Sequence, residues 1–95
     1  MAWNIELSPA AKKDLSKIGT AEAQRILKFL YQRVRLMENP RQTGKQLVGA
    51  SLSDLWRYRV GDYRILCRIE DQKISILVVE IGHRREIYKK KMIKN

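Results

Sequence analysis

The sequence has very few of the residues on which several kinds of protein chemistry depend. It contains one cysteine, Cys67, and one histidine, His83, among its 95 residues. A single cysteine cannot form a disulfide within the chain, so we expect a protein of the reducing cytoplasm. One histidine excludes a histidine pair in acid and base roles, and a Ser/His/Asp set has no evident third member. Cys67 lies in an apolar strand-like stretch and is expected to be inert core rather than a nucleophile.

Long apolar runs, clustered acids and glycine-rich loops are also missing. No run approaches the roughly 20 apolar residues that span a membrane, and residues 1–7 lack the residue order of a signal peptide. The acidic residues are scattered, no metal-ligand spacing occurs, and no P-loop is present. We therefore expect no membrane partner, and any catalysis should need neither a metal nor a cofactor.

Positive charge is the most informative property of the composition. Twenty Lys and Arg face ten Asp and Glu, which gives a net charge of +10. Such a field favours polyanions, namely nucleic acid, an anionic surface or an acidic protein, although a merely soluble basic surface is the simpler alternative. With 44% hydrophobic residues, the chain is expected to form one folded domain over residues 1–95.

The first half of the chain has the pattern of a strand followed by two helices. Apolar and polar residues alternate over residues 3–7, as in a strand. Ser8, followed by proline, predicts a helix start, and Gly19 predicts its end. A second helix, capped by Thr20, should reach about residue 38 and form an antiparallel hairpin with the first. Its predicted apolar face comprises Ala23, Leu27, Leu30, Val34 and Met37.

The second half is rich in β-branched and aromatic residues after a polar loop at residues 41–54. Strands are predicted at residues 55–60, 63–69 and 73–81, with turns at Gly61-Asp62 and Asp71-Gln72. The predicted class is therefore α+β, in the order β-α-α-β-β-β. An N-terminal strand and a helical hairpin pack on a mainly antiparallel four-stranded sheet, with a short C-terminal helix after Gly82. This leaves the other face of the sheet, or its end, available for function.

Arginines dominate that second sheet face. With a turn at Gly61-Asp62, Arg59 lies opposite Arg64, and like charges so placed are unfavourable by up to about 1 kcal/mol per pair. An anion between them relieves this repulsion, and arginine binds phosphate bidentately. We interpret the face as a phosphate-backbone site, the alternative being a solvated sheet face. Its members are Arg57, Arg59, Arg64 and Arg68, with Leu66 as the only apolar residue.

A second candidate element follows Gly82. Arg84 and Tyr88 are four residues apart and share one face of a helical turn. Nearby positive charge should lower the pKa of Tyr88 from about 10, and its ring could stack on a base or simply pack at a helix end. Further nucleic-acid contacts are expected from Lys45, Arg68, His83, Arg85, Lys89, Lys90 and Lys91, although a lysine run is often a solvated tail.

Two segments carry a resemblance to a known family. LWRYRVGDYRI at residues 55–65 and EIGHRREIY at 80–88 resemble the RelE/ParE toxin superfamily, RelE branch. SPAAKKDL at residues 8–15 and the Leu47-Val48-Gly49 piece extend the resemblance over essentially the whole chain. It implies the toxin of a type II toxin–antitoxin system, which enters the ribosomal A site and cleaves mRNA there. The implied partners are the ribosome with its rRNA, mRNA, and a cognate RelB-like antitoxin that silences the toxin.

The resemblance also implies a set of catalytic roles. The 2′-hydroxyl attacks the adjacent phosphate and leaves a 2′,3′-cyclic end. Arg57, Arg59 and Arg64 would bind the phosphate and stabilise its charge. Arg84 would stabilise the leaving oxygen or help to protonate it. Tyr88 would orient and deprotonate the 2′-hydroxyl, or stack on the base. Some relatives have lysine at the first two positions, and arginine is a poor proton acceptor, so the identity of the base is open.

Two other functions fit the same sequence. ParE-type relatives poison DNA gyrase without cutting RNA, and they generally lack the late arginine–tyrosine pair, so Arg84 and Tyr88 favour the nuclease. A non-enzymatic basic RNA-binding module is the third possibility, for which the charge and the arginine face suffice.

Overall fold

In the computed structural model, one sheet carries two helices on one face and a third helix on the other. The structure describes residues 2–47 and 54–91, with side chains as far as residue 87. The helices are α1 (Pro9–Lys17), α2 (Thr20–Gln32) and α3 (Arg84–Lys91). The strands are β1 (Asn4–Leu7), β2 (Lys45–Gln46), β3 (Leu55–Val60), β4 (Tyr63–Glu70) and β5 (Ser75–His83). Short 3₁₀ turns lie at Val34–Leu36, Pro40–Gln42 and Asp71–Lys73.

The sheet has the strand order β1-β5-β4-β3-β2. β1 runs parallel to β5 and every other neighbouring pair is antiparallel, which confirms the predicted α+β class and element order. β2 is an addition, because it falls in the stretch predicted as loop. Two residues are too short to show the alternating period of a strand, so the pattern alone could not reveal it.

α2 differs from its prediction at both ends and in its buried face. The N-cap is Gly19, so Thr20 is the first helical residue rather than the cap. The predicted end near residue 38 is wrong, because the α-helix stops at Gln32 and tightens into the 3₁₀ turn. The N–H of Trp3 donates to the carbonyl of Arg35 at 2.8 Å, which ties the turn to the start of β1. The fully buried line is Ile26, Leu30 and Val34, while Ala23, Leu27 and Met37 are half-buried.

Ser8, the N-cap of α1, and Asp14 within α1 form the hydrogen bonds that a neighbouring strand would otherwise make with the end of β5. Among the described residues, no strand continues on the β1 side of β5 past Val78, where the pairing with β1 ends. Ser8 fills the gap through its N–H, which donates to Val78 at 2.9 Å, and its hydroxyl, which donates to Val79 at 2.7 Å. Asp14 then accepts the N–H of Ile81 at 3.0 Å. Ser8 Oγ also accepts the N–H of Ala11, which confirms the predicted cap.

Removing the carboxylate of Asp14 should therefore destabilise the end of β5. In Asp14→Ala the N–H of Ile81 loses its acceptor, and a buried donor left without one costs about 1–3 kcal/mol. Asp14→Asn keeps an oxygen at the same position and should lose clearly less. Urea unfolding of both variants checks this, and equal losses would show that the hydrogen bond contributes nothing.

The sequence left open whether the whole second sheet face or only its end is accessible, and the structure shows the middle of that face covered. Leu66 is 0% exposed, because it packs with Leu47, Leu55 and Ile87 in a second apolar cluster, against which Val79 is half-buried. α3 and the β2 segment thus cover the middle of the face. Tertiary packing of elements distant in the sequence causes this burial, since Leu66 alone gave no sign of a partner. The face stays accessible at the end near the β3–β4 turn and, at the opposite end, around Arg68.

Cys67 is confirmed as a core residue. Its side chain is 0% exposed on the helix-covered face, and burial raises the pKa of the thiol. Because the thiolate is the nucleophilic form, this cysteine is chemically inert in the folded protein. In the part of the chain that the structure describes, no helix has both the length and the apolarity needed to cross a membrane.

Candidate functional site

The β3–β4 hairpin has the predicted register. Val60 pairs with Tyr63 and Arg59 with Arg64, around a turn in which Gly61 has a φ of 59°. A positive φ at this position suits glycine and closes the tight hairpin. β2 adds a second pair of like charges, because Lys45 lies opposite Arg57. Two neighbouring rows of cations therefore cross the same face of the sheet.

Arg64 is held in place by its own turn. Its Nη1 donates to the carbonyls of Gly61 at 3.2 Å and Tyr63 at 3.1 Å, and the side chain is only 6% exposed. A guanidinium fixed by hydrogen bonds loses little side-chain entropy when it binds an anion. Arg64 is therefore a preorganised cation at the end of the hairpin.

Arg57 and Arg59 differ sharply in accessibility. The side chain of Arg57 is 1% exposed, whereas Arg59 is exposed. Both line a cleft of about 180 Å³ together with Thr43, Gly44 and Lys45. The indole of Trp56 donates to the carbonyl of Thr43 at 2.8 Å and fixes this loop against β3. Arg59 is thus the cation that a ligand meets first, and Arg57 adds charge from inside the protein.

α3 begins against the same turn and brings Arg84 to this end of the sheet. The N–H of Arg84 donates to the carbonyl of Asp62 at 2.8 Å, and its Nε lies 3.6 Å from an Asp62 carboxylate oxygen. The exposed ion pair contributes little stability, but together with the backbone bond it sets where α3 starts. The sequence analysis did not predict that Asp62 contacts Arg84. Its position in the turn was the one feature that could have indicated this role.

Gly82 lets α3 lie close to the sheet beside Arg64. It pairs with Arg64 across β4 and β5. A Cβ on Gly82 would lie 3.2 Å from the Cβ of Ile87 and 3.3 Å from its Cδ1. Ile87 is 2% exposed and anchors α3 in the second apolar cluster. The absence of a side chain at Gly82 therefore fixes the distance between α3 and the arginine pair.

Gly82→Ala should push α3 away from the sheet and displace Arg84, which begins this helix. Overpacking of this kind costs about 1–3 kcal/mol. We expect a lower urea midpoint together with a clear loss of the RNA cleavage that the resemblance implies. Gly19→Ala is the control, since a Cβ there meets nothing within 4 Å and strains only a φ of 92°. It should lose stability without losing cleavage in the folded fraction, and equal cleavage by the two variants would contradict the role of Gly82.

Two predicted contacts lie away from this cluster. His83 pairs with Tyr63 on the helix-covered face, with the two rings edge to face at 5.7 Å. Its Nδ1 accepts the N–H of Arg85 at 3.2 Å, so the imidazole caps the start of α3. Arg68 lies four residues along β4 from Arg64, about 13 Å away, and its Nε contacts an Asp54 oxygen at 3.1 Å. Direct RNA binding by these two residues stays a prediction.

The remaining predicted residues belong to α3. Arg85 is exposed at its first turn. The helix also contains Tyr88, Lys89, Lys90 and Lys91. The structure describes the backbone of these four residues but not their side chains. The expected decrease in the pKa of Tyr88 is therefore still a prediction. Val48 and Gly49, which contribute to the resemblance, also lie outside the described residues.

Solved structures with the same fold include RelE toxins. The M. tuberculosis toxin–antitoxin complex RelBE2 aligns with a TM-score of 0.79 at 22% identity, covering 90% of this chain and 95% of that one. The isolated E. coli RelE toxin aligns with a TM-score of 0.67 at 21% identity, covering 96% of both chains. The chain therefore has the RelE-like fold.

Sequence comparison gives the family. A profile of the ParE toxin of type II toxin–antitoxin systems (parDE) matches residues 5–88. Toxin RelG of M. tuberculosis is 27% identical over 90 residues, covering 95% of this chain and 100% of the relative. The mRNA interferase toxin RelE of E. coli K12 is also 27% identical over 90 residues, covering 93% of this chain and 92% of the relative. The chain belongs to the ParE toxin family of type II toxin–antitoxin systems and is RelE-like within it.

Proposed function

We propose that this toxin is a ribosome-dependent endoribonuclease that cleaves mRNA in the A site by metal-free attack of a 2′-hydroxyl on the adjacent phosphate. The observation that carries the proposal is the convergence of Arg59, Arg64 and Arg84 at one end of the β3–β4 hairpin. The relatives from E. coli and S. flexneri that are named mRNA interferases support the same activity. Since ribosomes are cytoplasmic, the proposed place of action is the cytoplasm.

The cations at the hairpin end suit the charge that develops during this reaction. Attack of the 2′-oxygen on phosphorus forms a crowded phosphorane with additional negative charge on its non-bridging oxygens. Arg64, fixed over the turn, and the accessible Arg59 stabilise that charge, with Arg57 adding to the field from inside the protein. Charge stabilisation by three guanidinium groups is the part of the work that a metal ion performs in other nucleases.

Proton transfer is assigned to α3 in this proposal. The 2′-hydroxyl proton leaves as the new P–O bond forms, and the leaving 5′-oxygen gains a proton as its bond to phosphorus breaks. Arg84 lies at the start of α3 beside the turn, where it can stabilise the leaving oxygen. Tyr88 follows one helical turn later and is proposed to orient the 2′-hydroxyl and accept its proton. The arginines stay protonated throughout and do not act as the base, so solvent water supplies the proton that the leaving 5′-oxygen gains.

The chemistry of the RNA ends tests this reaction. The proposal predicts a 2′,3′-cyclic phosphate on one fragment and a 5′-hydroxyl on the other. A 5′-phosphate with a free 3′-hydroxyl would mean that water, not the 2′-oxygen, attacked, and would contradict the proposed mechanism. A message with a 2′-deoxynucleotide at the cut position should resist cleavage completely.

The family profile keeps a second function in view. It describes ParE toxins, and ParE-type relatives act on DNA gyrase. Arg84 at the turn and Tyr88 on α3 favour RNA cleavage instead. A supercoiling assay with purified gyrase separates the two functions, since the nuclease should leave supercoiling unchanged. A pure RNA-binding module would leave both gyrase and message intact.

We further propose a RelB-like antitoxin as the protein partner. RelE toxins from E. coli and Pyrococcus horikoshii have been solved in complex with RelB. This chain carries a net charge of +10, so an acidic or amphipathic segment folding onto the cationic face would neutralise it. Co-expression with the candidate antitoxin should give a stable complex and suppress cleavage.

A further inference from the structure

A second cationic groove lies between α2 and the end of β3. It has a volume of about 370 Å³, with Arg25, Lys28, Arg33 and Arg59 around an apolar floor that includes Phe29 and Val60. All four cationic residues are exposed. One acid, Glu22, lies near the rim, and its oxygen is 3.8 Å from Arg25 in an exposed pair. The groove therefore offers a net positive surface to a ligand.

This groove is continuous with the arginine cluster of the proposed active site. Arg59 lines both the α2 groove and the cleft that contains Lys45 and Arg57. β2 pairs only with Trp56 and Arg57, so among the described residues no strand covers the outer edge of β3 at Arg59. The Nη1 of Arg25 lies 2.8 Å from where a Cβ on Gly61 would be, which places its guanidinium against the turn. The cationic side chains thus form one continuous surface, which extends from the sheet face around the edge of β3 to α2.

The groove suits a phosphate backbone better than unstacked bases. Phe29 is the aromatic residue on its described lining. Its ring packs edge-on to Tyr58 at 5.8 Å, and the guanidinium of Arg33 lies 5.6 Å from the ring centre. These contacts occupy one face and one edge of the half-buried Phe29 ring, so it is less suited than an exposed ring to the base stacking that single-strand binders use. The exposed guanidinium groups instead offer bidentate phosphate contacts.

We propose that this groove binds the sugar-phosphate backbone of the RNA that flanks the cleaved codon, without regard to its sequence. The proposal rests on the proposed nuclease function and extends its substrate path around the edge of β3. RNA is favoured over an acidic protein segment because the groove shares Arg59 with the phosphate site itself.

The salt dependence of RNA binding tests the proposal. The assay measures the Kd of a fluorescent 12-nucleotide oligo(U) from 50 to 300 mM KCl for the parent and for Arg25→Gln/Arg33→Gln. Two lost phosphate contacts should lower the slope of log K against log salt by about 1.4, since each contributes roughly 0.7 for single strands. Lys12→Gln/Lys13→Gln is the charge-matched control on α1, where both lysines are exposed, and it should keep the parent slope.

Two outcomes would overturn the proposal. Equal changes in the groove variant and the α1 control would mean that only the general field of the protein acts on RNA. Unchanged RNA binding, with lost binding of a glutamate-rich peptide, would assign the groove to a protein partner. The assay does not depend on cleavage. A chain that binds RNA through the groove but never cuts would contradict the nuclease and leave the groove proposal intact.

Discussion

Replacing Arg64 by alanine should slow cleavage of the A-site codon by about 10²–10³-fold, the loss typical of removing one preorganised donor to a developing oxyanion. Arg64 is the site cation most firmly held, by two hydrogen bonds to its own turn. Single-turnover cleavage on paused ribosomes measures the rate. Arg64→Lys keeps the charge but loses the planar fork, so its rate should fall between those of the parent and the alanine variant.

Arg41→Ala is the control for this prediction. Arg41 is an exposed arginine that pairs with Asp71 at 2.9 Å and has no predicted part in RNA binding or catalysis. Its loss should change the rate less than a few-fold. Because Arg64 also braces the turn, urea unfolding must show that the alanine variant is folded under assay conditions. A folded Arg64→Ala that cuts at the parent rate would remove Arg64 from the catalytic site.

Tyr88→Phe should lose cleavage by about 10²–10⁴-fold, the range supplied by one general acid or base. The change removes a hydroxyl and keeps the ring, so the proposed proton acceptor is lost while stacking and packing are kept. RNA affinity should therefore stay close to that of the parent. Filter binding and single-turnover cleavage on the same samples separate the two effects.

Tyr31→Phe controls for the loss of a tyrosine hydroxyl elsewhere. Tyr31 is 41% exposed on α2, and its hydroxyl has no proposed role. It should cut like the parent. If Tyr88→Phe also cuts like the parent, another group accepts the 2′-hydroxyl proton, whereas a loss of RNA affinity would mean that Tyr88 only binds.

The sequence predicted best what depends on local patterns. Gly61 predicted the β3–β4 turn, and it has the positive φ that such a turn requires. The position of the turn gave the correct pairing of Arg59 with Arg64. Ser8 before a proline gave the correct start of α1. These features were predictable because turn and cap chemistry involve residues that are neighbours in the chain.

Features that depend on packing between distant segments were not predictable. Leu66 is buried among Leu47, Leu55 and Ile87, and the buried Arg57 pairs with Lys45 of β2. These contacts join segments that are distant in the sequence and leave no periodic signal. The same holds for the end of β5, where Asp14 replaces a missing strand. β5 also carries a register shift against β4 at Leu66/Cys67. A bulge of this kind changes which residues face which layer, and alternation alone does not locate it.

The location of the cuts is the most direct test of the central claim. Purified protein is added to ribosomes paused on a defined message, and RNA 3′ ends are mapped with and without ribosomes, for the parent and for Tyr88→Phe. The account predicts cuts confined to the A-site codon, present only with ribosomes and lost in the variant. An intact message at an excess of folded parent protein would contradict the nuclease, and loss of gyrase supercoiling by the same sample would identify the target instead.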